Sequence, residues 1–374
     1  SGIVLLSLLL WFPISFDNND DQAMYFINSG VLSGIPSPNI MHTNLIVGLL
    51  LKNLFFFCNQ INWYTLYLQT VQCIALLTIY FVMIYKNKTN LLVSILLLLF
   101  LIFGFSALCI VKVQYTIVAL LSCTAALFCI QSELPVRNKY ILAFFFIVLS
   151  ILIRKDSFFI FIAFNAPILF FKFIKKNVEK PYLHLLALSV VLFFALKIIN
   201  DKDANYKKFE TYKYARVLDD AIDKPTKYTA DDLKMFGFTE DDMVMMQARY
   251  PMSNDYSSGK NIIKLSEKIK TTRTNEQLLT AFKKFVLDER YMILIYLLST
   301  VAMLLFVPKS YKVVLLNAIV FFLLLYYLAS TVRIPHRVTF PLLIYLSMVN
   351  LYFFSKAEIN YNFKLIMLTV FTIL

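Results

Sequence analysis

The chain has 374 residues, of which 59% are hydrophobic and only 16% charged, with a mean hydropathy of +0.69. Apolar runs of the roughly 20 residues needed to cross a bilayer recur along it, which excludes a soluble enzyme with an apolar core; the runs are continuous rather than alternating, which excludes a transmembrane barrel. The net charge of +13 would suit a nucleic-acid binder, but residues 200–290 hold 17 basic and 16 acidic side chains, leaving 19 and 7 for the apolar remainder, and that distribution is a topology signal instead.

The expected fold is all-α, a polytopic transmembrane helical bundle of about 11 spans. In chain order the runs fall near 1–16, 62–85, 90–110, 113–132, 140–155, 157–174, 182–199, 291–307, 313–331, 338–355 and 363–374. The first run begins without Met or a basic flank and the last stops mid-run, so both ends read as trimmed. Residues 43–58 are apolar too, but short and interrupted by Lys52, which predicts a helix lying along the membrane surface. The organisation expected is an N-terminal transmembrane module over 1–199 with a first outer loop at 17–61, a small helical insertion at 200–290, and a C-terminal transmembrane module over 291–374. In the insertion, Thr229 and Thr239 each precede acids in a first turn, Thr274-Asn-Glu-Gln is a capping box, and 251–259 reads as a loop.

Twelve of the remaining basic residues fall in alternate loops: Lys86 and Lys88; Arg137 and Lys139; Lys172, Lys175, Lys176 and Lys180; Lys309 and Lys312; Lys356 and Lys364. The positive-inside rule makes those loops cytoplasmic, and the alternation is regular only if 43–58 does not cross. The outer face then receives Asp17, Asp20, Asp21, Lys52, Lys112, Arg154, Lys155, Asp156, Lys197, Arg333, His336, Arg337 and the insertion. Basic residues there run against the orientation bias, and an anionic ligand would account for them.

Asp17-Asn18-Asn19-Asp20-Asp21 ends the first run. Carboxylates at the mouth of a membrane helix are costly to desolvate and are kept for a substrate or ion pathway; one cap would account for a single acid, not three. If a helix starts here, Asp21 and Tyr25 share a face. Arg154-Lys155-Asp156 joins two spans with almost no loop, Arg154 offering a fork of donors and Lys155 a point charge to a phosphate; the alternative is a snorkelling pair balanced by Asp156. Arg333-Ile-Pro-His336-Arg337 sits on a turn stiffened by Pro335, with His336 a further donor. Lys112-Val-Gln114-Tyr115 is a weaker candidate, and the stiff loop from Ser33 to Pro38 leads to His42 beside the surface helix. Asn62-Trp63-Tyr64 reads as an aromatic belt. Five cysteines (Cys58, Cys73, Cys109, Cys123, Cys129) lack metal spacing and form no disulfide framework. Three histidines without HExxH leave zinc unsupported, and no glycine-rich phosphate loop is present.

A short first span ending in an acidic pair, a surface helix, many further spans and an outer insertion together resemble the GT-C superfamily of membrane glycosyltransferases, which take sugars from polyprenyl-phosphate carriers. The resemblance rests on Asp20-Asp21-Gln-Ala-Met-Tyr25-Phe26, similar to the family's acidic pair followed by an aromatic in the first outer loop. It implies Asp20 as catalytic acid residue, Asp21 as its neighbour and Asp17 as a further candidate. Arg154, Lys155, Arg333, Arg337, His336, Lys112, Tyr25 and His42 would then bind substrate and its phosphate. Asp20 and Asp21 can hold Mg²⁺ or Mn²⁺ if a divalent ion is used. The expected partners are a polyprenyl-phosphate-linked sugar donor, a glycan, lipid or protein acceptor, and membrane lipids, with no nucleic acid. The expected location is the bacterial cytoplasmic membrane, the site facing outward. A lipid-linked polysaccharide polymerase or ligase, a flippase of lipid-linked sugars and a membrane scaffold are the competing expectations.

Overall fold

The structure, a computed structural model, describes residues 15–16, 19–31, 34–40, 42–84, 112–174, 176–207, 275–306, 311–331 and 334–356. The expected spans at 90–110 and 363–374, nearly all of 1–16, and the capping motifs and loop of 229–274 lie outside these residues. The chain divides into two compact units, one comprising Ser1–Leu196, Phe285–Leu324 and Pro335–Leu374, the other Lys197–Lys284 and Leu325–Ile334.

The regular structure among the described residues is helical apart from a pairing of two short strands the sequence does not announce: β1 (Ser15–Phe16) lies parallel to β2 (Lys112–Val113), with Ser15 opposite Lys112 and Phe16 opposite Val113. This ladder brings the end of the first apolar run beside residues almost a hundred positions later. Between them come α1 (Asn19–Ser29), α2 (Leu45–Phe57) and α3 (Trp63–Ile84). After β2 come α4 (Tyr115–Gln131), α5 (Val136–Ile153), α6 (Ser157–Ile174) and α7 (Lys180–Lys202). The C-terminal part holds α8 (Asn275–Asp288), α9 (Arg290–Phe306), α10 (Tyr311–Thr331) and α11 (His336–Lys356).

Five helices among the described residues are long and apolar enough to cross a membrane: Trp63–Ile84, Val136–Ile153, Ser157–Ile174, Lys180–Lys202 and Tyr311–Ser330. Shorter apolar helices run over Leu45–Phe57, Tyr115–Gln131 and Arg290–Leu305. Where they are described, the helices end within a few residues of the expected runs, although those expected at 113–132, 291–307 and 338–355 are not among the five, and there is one instructive shift. The run expected at 140–155 begins at Val136, because Pro135 supplies the N-cap, and it ends at Ile153, because Arg154 turns to φ −151°, ψ 109°. Arg137 and Lys139 are therefore inside the helix, Arg137 exposed and Lys139 buried.

The larger unit is built around α4. Nearly every residue from Tyr115 to Ile130 is buried, and α4 packs against α3, α5, α6 and α11. A helix surrounded on all sides shows no polar stripe; its small residues Ala119, Ser122, Ala125 and Ala126 let neighbours approach closely. The hydroxyls of Ser122 and Thr124 donate to the carbonyls of Val118 (3.0 Å) and Leu120 (3.0 Å), so neither is left unmet in an apolar interior. α9 and α11 are joined by Asn350, whose amide reaches Ser299 Oγ at 3.1 Å and Thr300 Oγ1 at 2.9 Å.

Side-chain hydrogen bonds fix two connections in the larger unit. The α5–α6 turn is stitched by Ser150 Oγ to the Ala119 carbonyl (2.8 Å), by Ser157 Oγ to Ser150 Oγ (2.6 Å) and by Ser157 Oγ to the Arg154 carbonyl (2.6 Å). The loop between α1 and α2 is held by Asn28, whose Nδ2 donates to the carbonyls of Ser37 (2.9 Å) and Gly48 (3.2 Å). The Asn44 N–H adds a bond to the Leu152 carbonyl (2.9 Å), while its side chain caps α2 through the Ile46 N–H. Gly48 is needed there, since a Cβ would run into the Pro38 carbonyl oxygen. Replacing Gly48 by Ala is expected to destabilise the protein by about 1–3 kcal/mol, the usual range for overpacking, read as a lowered thermal-unfolding midpoint in detergent; an unchanged midpoint would mean the loop yields freely.

Candidate functional site

Asp21 is the first residue the fold singles out. It sits in the first turn of α1 with no exposed surface. Its Oδ1 accepts a hydrogen bond from Tyr64 Oη on α3 (3.0 Å) and another from the Tyr115 N–H at the start of α4 (3.0 Å). One carboxylate oxygen thus ties three helices together, while Oδ2 is buried with no hydrogen-bond partner. Burial pushes the Asp21 carboxyl up to about 7, and the neighbouring Asp20 pushes the same way, against the two hydrogen bonds and the more distant Arg337.

Asp20, one residue earlier, faces differently. Its side chain is 34% exposed, and its Oδ2 accepts from Arg337 Nη1 at 2.8 Å, a contact between residues 317 positions apart. Arg337 lies in the first turn of α11 with its side chain 16% exposed. It also lies within electrostatic reach of Tyr115 and Asp21.

Tyr115 links this pair to the α5–α6 turn. The Arg154 guanidinium donates to Thr116 Oγ1 (2.5 Å), approaches Tyr115 Oη (3.4 Å) and lies 5.5 Å from the Tyr115 ring centroid. Its Nε is 3.7 Å from Asp156 Oδ2. Lys155 shares this turn, half-buried, its carbonyl accepting from the Phe158 N–H (3.2 Å). His42 stacks on Tyr115 with centroids 5.2 Å apart and planes at 21°. Its φ of 62° is left-handed, which costs a non-glycine residue about 1–2 kcal/mol; strain of this kind persists where the surroundings over-determine it.

Of the expected site residues, Asp20, Asp21, Arg154, Arg337 and His42 are therefore brought together around Tyr115. Tyr25 is on the same helix, but its ring belongs to an aromatic cluster with Phe16 (5.9 Å), Phe26 (5.6 Å) and Phe55 (6.1 Å). His336 turns to Glu289, its Nδ1 2.7 Å from Oε1 of that buried carboxylate, which also accepts from Thr339 Oγ1 (2.5 Å). The Lys112 backbone pairs in β2, which seats Tyr115. Asp17 and Arg333 lie outside the described residues.

Sequence reasoning missed Tyr64 and Glu289, and named Tyr115 only within the weaker candidate that starts at Lys112. Tyr64 reads as interfacial belt, and nothing local shows that its hydroxyl points inward to Asp21. Tyr115 acts through its backbone N–H, which no side-chain pattern reveals. Glu289 is one acid in a nearly neutral polar stretch; the available signal was its position at the lip of α9, on the face expected for His336.

Protonation of Asp21 should govern stability. Its folded-state carboxyl is raised to about 7, while an unfolded aspartate titrates near 3.9. The folded state therefore holds a proton the unfolded state has lost, so stability falls as pH rises through that window and levels off above it. Asp21→Asn keeps an acceptor for Tyr64 and the Tyr115 N–H. It is expected to flatten this slope and to unfold at a higher temperature than wild type above pH 7. Thermal unfolding from pH 5 to 8 checks this, and a wild type without slope would contradict it. Comparison with family models, with curated proteins and with solved structures gave no match for this chain.

Proposed function

We propose that the chain is a membrane glycosyltransferase that takes a sugar from a polyprenyl-phosphate donor at the outer face of the membrane. The observation carrying this reading is the contact between Asp20 and Arg337 beside Tyr115 and Arg154. A partly exposed carboxylate and two guanidiniums, drawn from three distant stretches of sequence, meet around Tyr115. The Arg154 and Arg337 guanidiniums offer forked donors of the kind that hold a phosphate, and the burial of Asp21 favours its neutral acid, so it does not offset them.

The chemistry rests on the exposures. Asp21 has no exposed surface, so it serves as a fixing point for α1, and Asp20, a third exposed, is the carboxylate that meets the acceptor. The acceptor hydroxyl oxygen attacks the sugar's anomeric carbon as its proton passes to Asp20. The bond from that carbon to the phosphate oxygen breaks, its electron pair staying on the phosphate, and the configuration inverts. Arg337, Arg154 and Lys155 stabilise the charge growing on the leaving phosphate; such preorganised donors are worth a few kcal/mol each in a dry site. α2, too short at 13 residues to cross, carries exposed Leu49, Leu50, Phe56 and Phe57; it lies along the membrane surface beside the site.

A divalent ion fits this arrangement poorly. Mg²⁺ or Mn²⁺ needs several open oxygens, whereas Asp20 is engaged by Arg337 and Asp21 by Tyr64 and the Tyr115 N–H.

The test is purified protein assayed against a panel of polyprenyl-phosphate sugars, with lipid mass spectrometry of products. Asp20→Asn is expected to lower turnover by roughly 10²–10⁴-fold, the usual contribution of a general base, while donor binding is retained. Arg337→Gln should weaken both. A flippase would move donor lipid without forming product, and full product formation by both variants would sink the proposal.

A further inference from the structure

A second cluster of ionisable side chains lies at the opposite end of α5 from Arg154, about 22 Å along the helix at 1.5 Å per residue. Lys139 is buried, and its Nζ donates to Glu179 Oε1 at 2.9 Å. Lys172 Nζ lies 3.5 Å from the same oxygen. Tyr140 Oη donates to Glu179 Oε2 (2.9 Å) and accepts from Lys172 (3.4 Å). Beneath the amines, Tyr140 and Tyr182 stack at 5.9 Å, with Lys139 4.9 Å from the Tyr140 centroid and Lys172 5.1 Å from that of Tyr182. Tyr182 is fixed in turn by donating to Asn165 Oδ1 (2.8 Å).

The stoichiometry is uneven: two ammonium groups share one carboxylate. Partial burial would raise the Glu179 carboxyl, but the bonds from Lys139 and Tyr140 and the nearby Lys172 hold it below the usual range. It therefore stays charged, and one positive charge is left over. Each ammonium has three donors, more than these contacts consume. The charged side chains nearby in sequence add to the excess, since exposed Arg137, Lys176 and Lys180 outnumber exposed Glu133.

Backbone geometry is also spent on this end. α6 closes with the Lys176 N–H bonded to the Phe173 carbonyl (3.0 Å) and the Asn177 N–H to the Lys172 carbonyl (2.9 Å), the Schellman pattern. The left-handed position usually given to glycine is here Lys176, with φ 49°. Apolar side chains close in sequence to the cluster are exposed: Val136, Phe173, Ile174 and Leu183 at 46%, 73%, 59% and 50%. A free phosphate has no use for that surround, whereas a lipid has.

We propose that Lys139 and Lys172, with Glu179 as their internal counter-ion, bind the phosphate of an anionic phospholipid whose acyl chains lie on Phe173, Ile174 and Leu183. Basic pockets between helices on the cytoplasmic side recognise such headgroups, and this is the end that the positive-inside rule assigns to the cytoplasm. The site is separate from the glycosyl-transfer site and does not depend on that reading. Glu179 sets its strength by competing with the phosphate for the same two amines.

The purified full chain in detergent micelles, titrated with dioleoyl-phosphatidylglycerol, with dioleoyl-phosphatidylcholine and with inorganic phosphate, tests this by native mass spectrometry and by thermal unfolding. The anionic lipid should be retained preferentially and released by salt. Lys172→Gln should weaken it about fivefold, the worth of one basic side chain near a membrane surface. Glu179→Gln should tighten it by a similar factor, which a purely structural ion pair would not do. Lys172→Gln leaves the Lys139–Glu179 and Tyr140–Glu179 bonds intact, so it decides the matter even if Glu179→Gln does not fold. Equal retention of the two lipids, an unchanged affinity in Lys172→Gln, or protection by inorganic phosphate equal to that by the lipid would each overturn the proposal.

Discussion

The arrangement around Tyr115 depends on one buried carboxyl group. Asp21 has no exposed surface, and its Oδ1 joins α1 to Tyr64 of α3 and to the N–H of Tyr115 at the head of α4. Bringing an ionised carboxylate into such a place costs several kcal/mol unless it is well paired. Its two donors are both neutral, and the other oxygen has none. Holding a proton resolves the conflict, which is why the carboxyl moves up to about 7. With α1 fixed at that point, the preceding residue has only one direction to face, and Asp20 emerges at the edge beside Arg337.

α4 converts this local bond into a site. Because it is buried almost throughout, its head is positioned by α3, α5, α6 and α11 at once. Gln114 completes the head as N-cap, its Oε1 accepting from the Ile117 N–H (2.9 Å). Arg154, held by the serine-stitched turn, and Arg337, at the head of α11, are both anchored by backbone rather than by long flexible loops. In the transfer proposed above that rigidity is an advantage, since donors that are already placed need no reorganisation as charge develops. The first turn of α11 does double duty, because His336 reaches Glu289 while Arg337 reaches Asp20.

Much of the helical layout was legible. The span expected at 157–174 matches α6 at both ends, since a largely apolar run follows directly on Asp156 and ends two residues past Lys172. α2 was legible as a helix too short to cross, while its Asn44 cap came only from the structure. The parallel ladder of β1 and β2 was not, because two residues carry no periodicity to detect. Tyr25 illustrates the limit of one-helix reasoning: a position four residues from Asp21 shares its face, yet Phe16, Phe26 and Phe55 claim its ring. Tyr64, in a stretch that read as interfacial belt, takes the place beside Asp21 instead.

From residue order alone came the membrane class, most helix boundaries, and the short list of charges that sit against the orientation bias. These arise from hydropathy, caps and flanking basic residues, which act over a few positions. Only the tertiary structure decided which of two adjacent aspartates is buried and which meets Arg337. The same holds for the assignment of one glutamate to two lysines at the far end of α5. Partners of that kind are chosen by how helices pack around α4, and packing is a property of side chains far apart in the chain that no local pattern encodes.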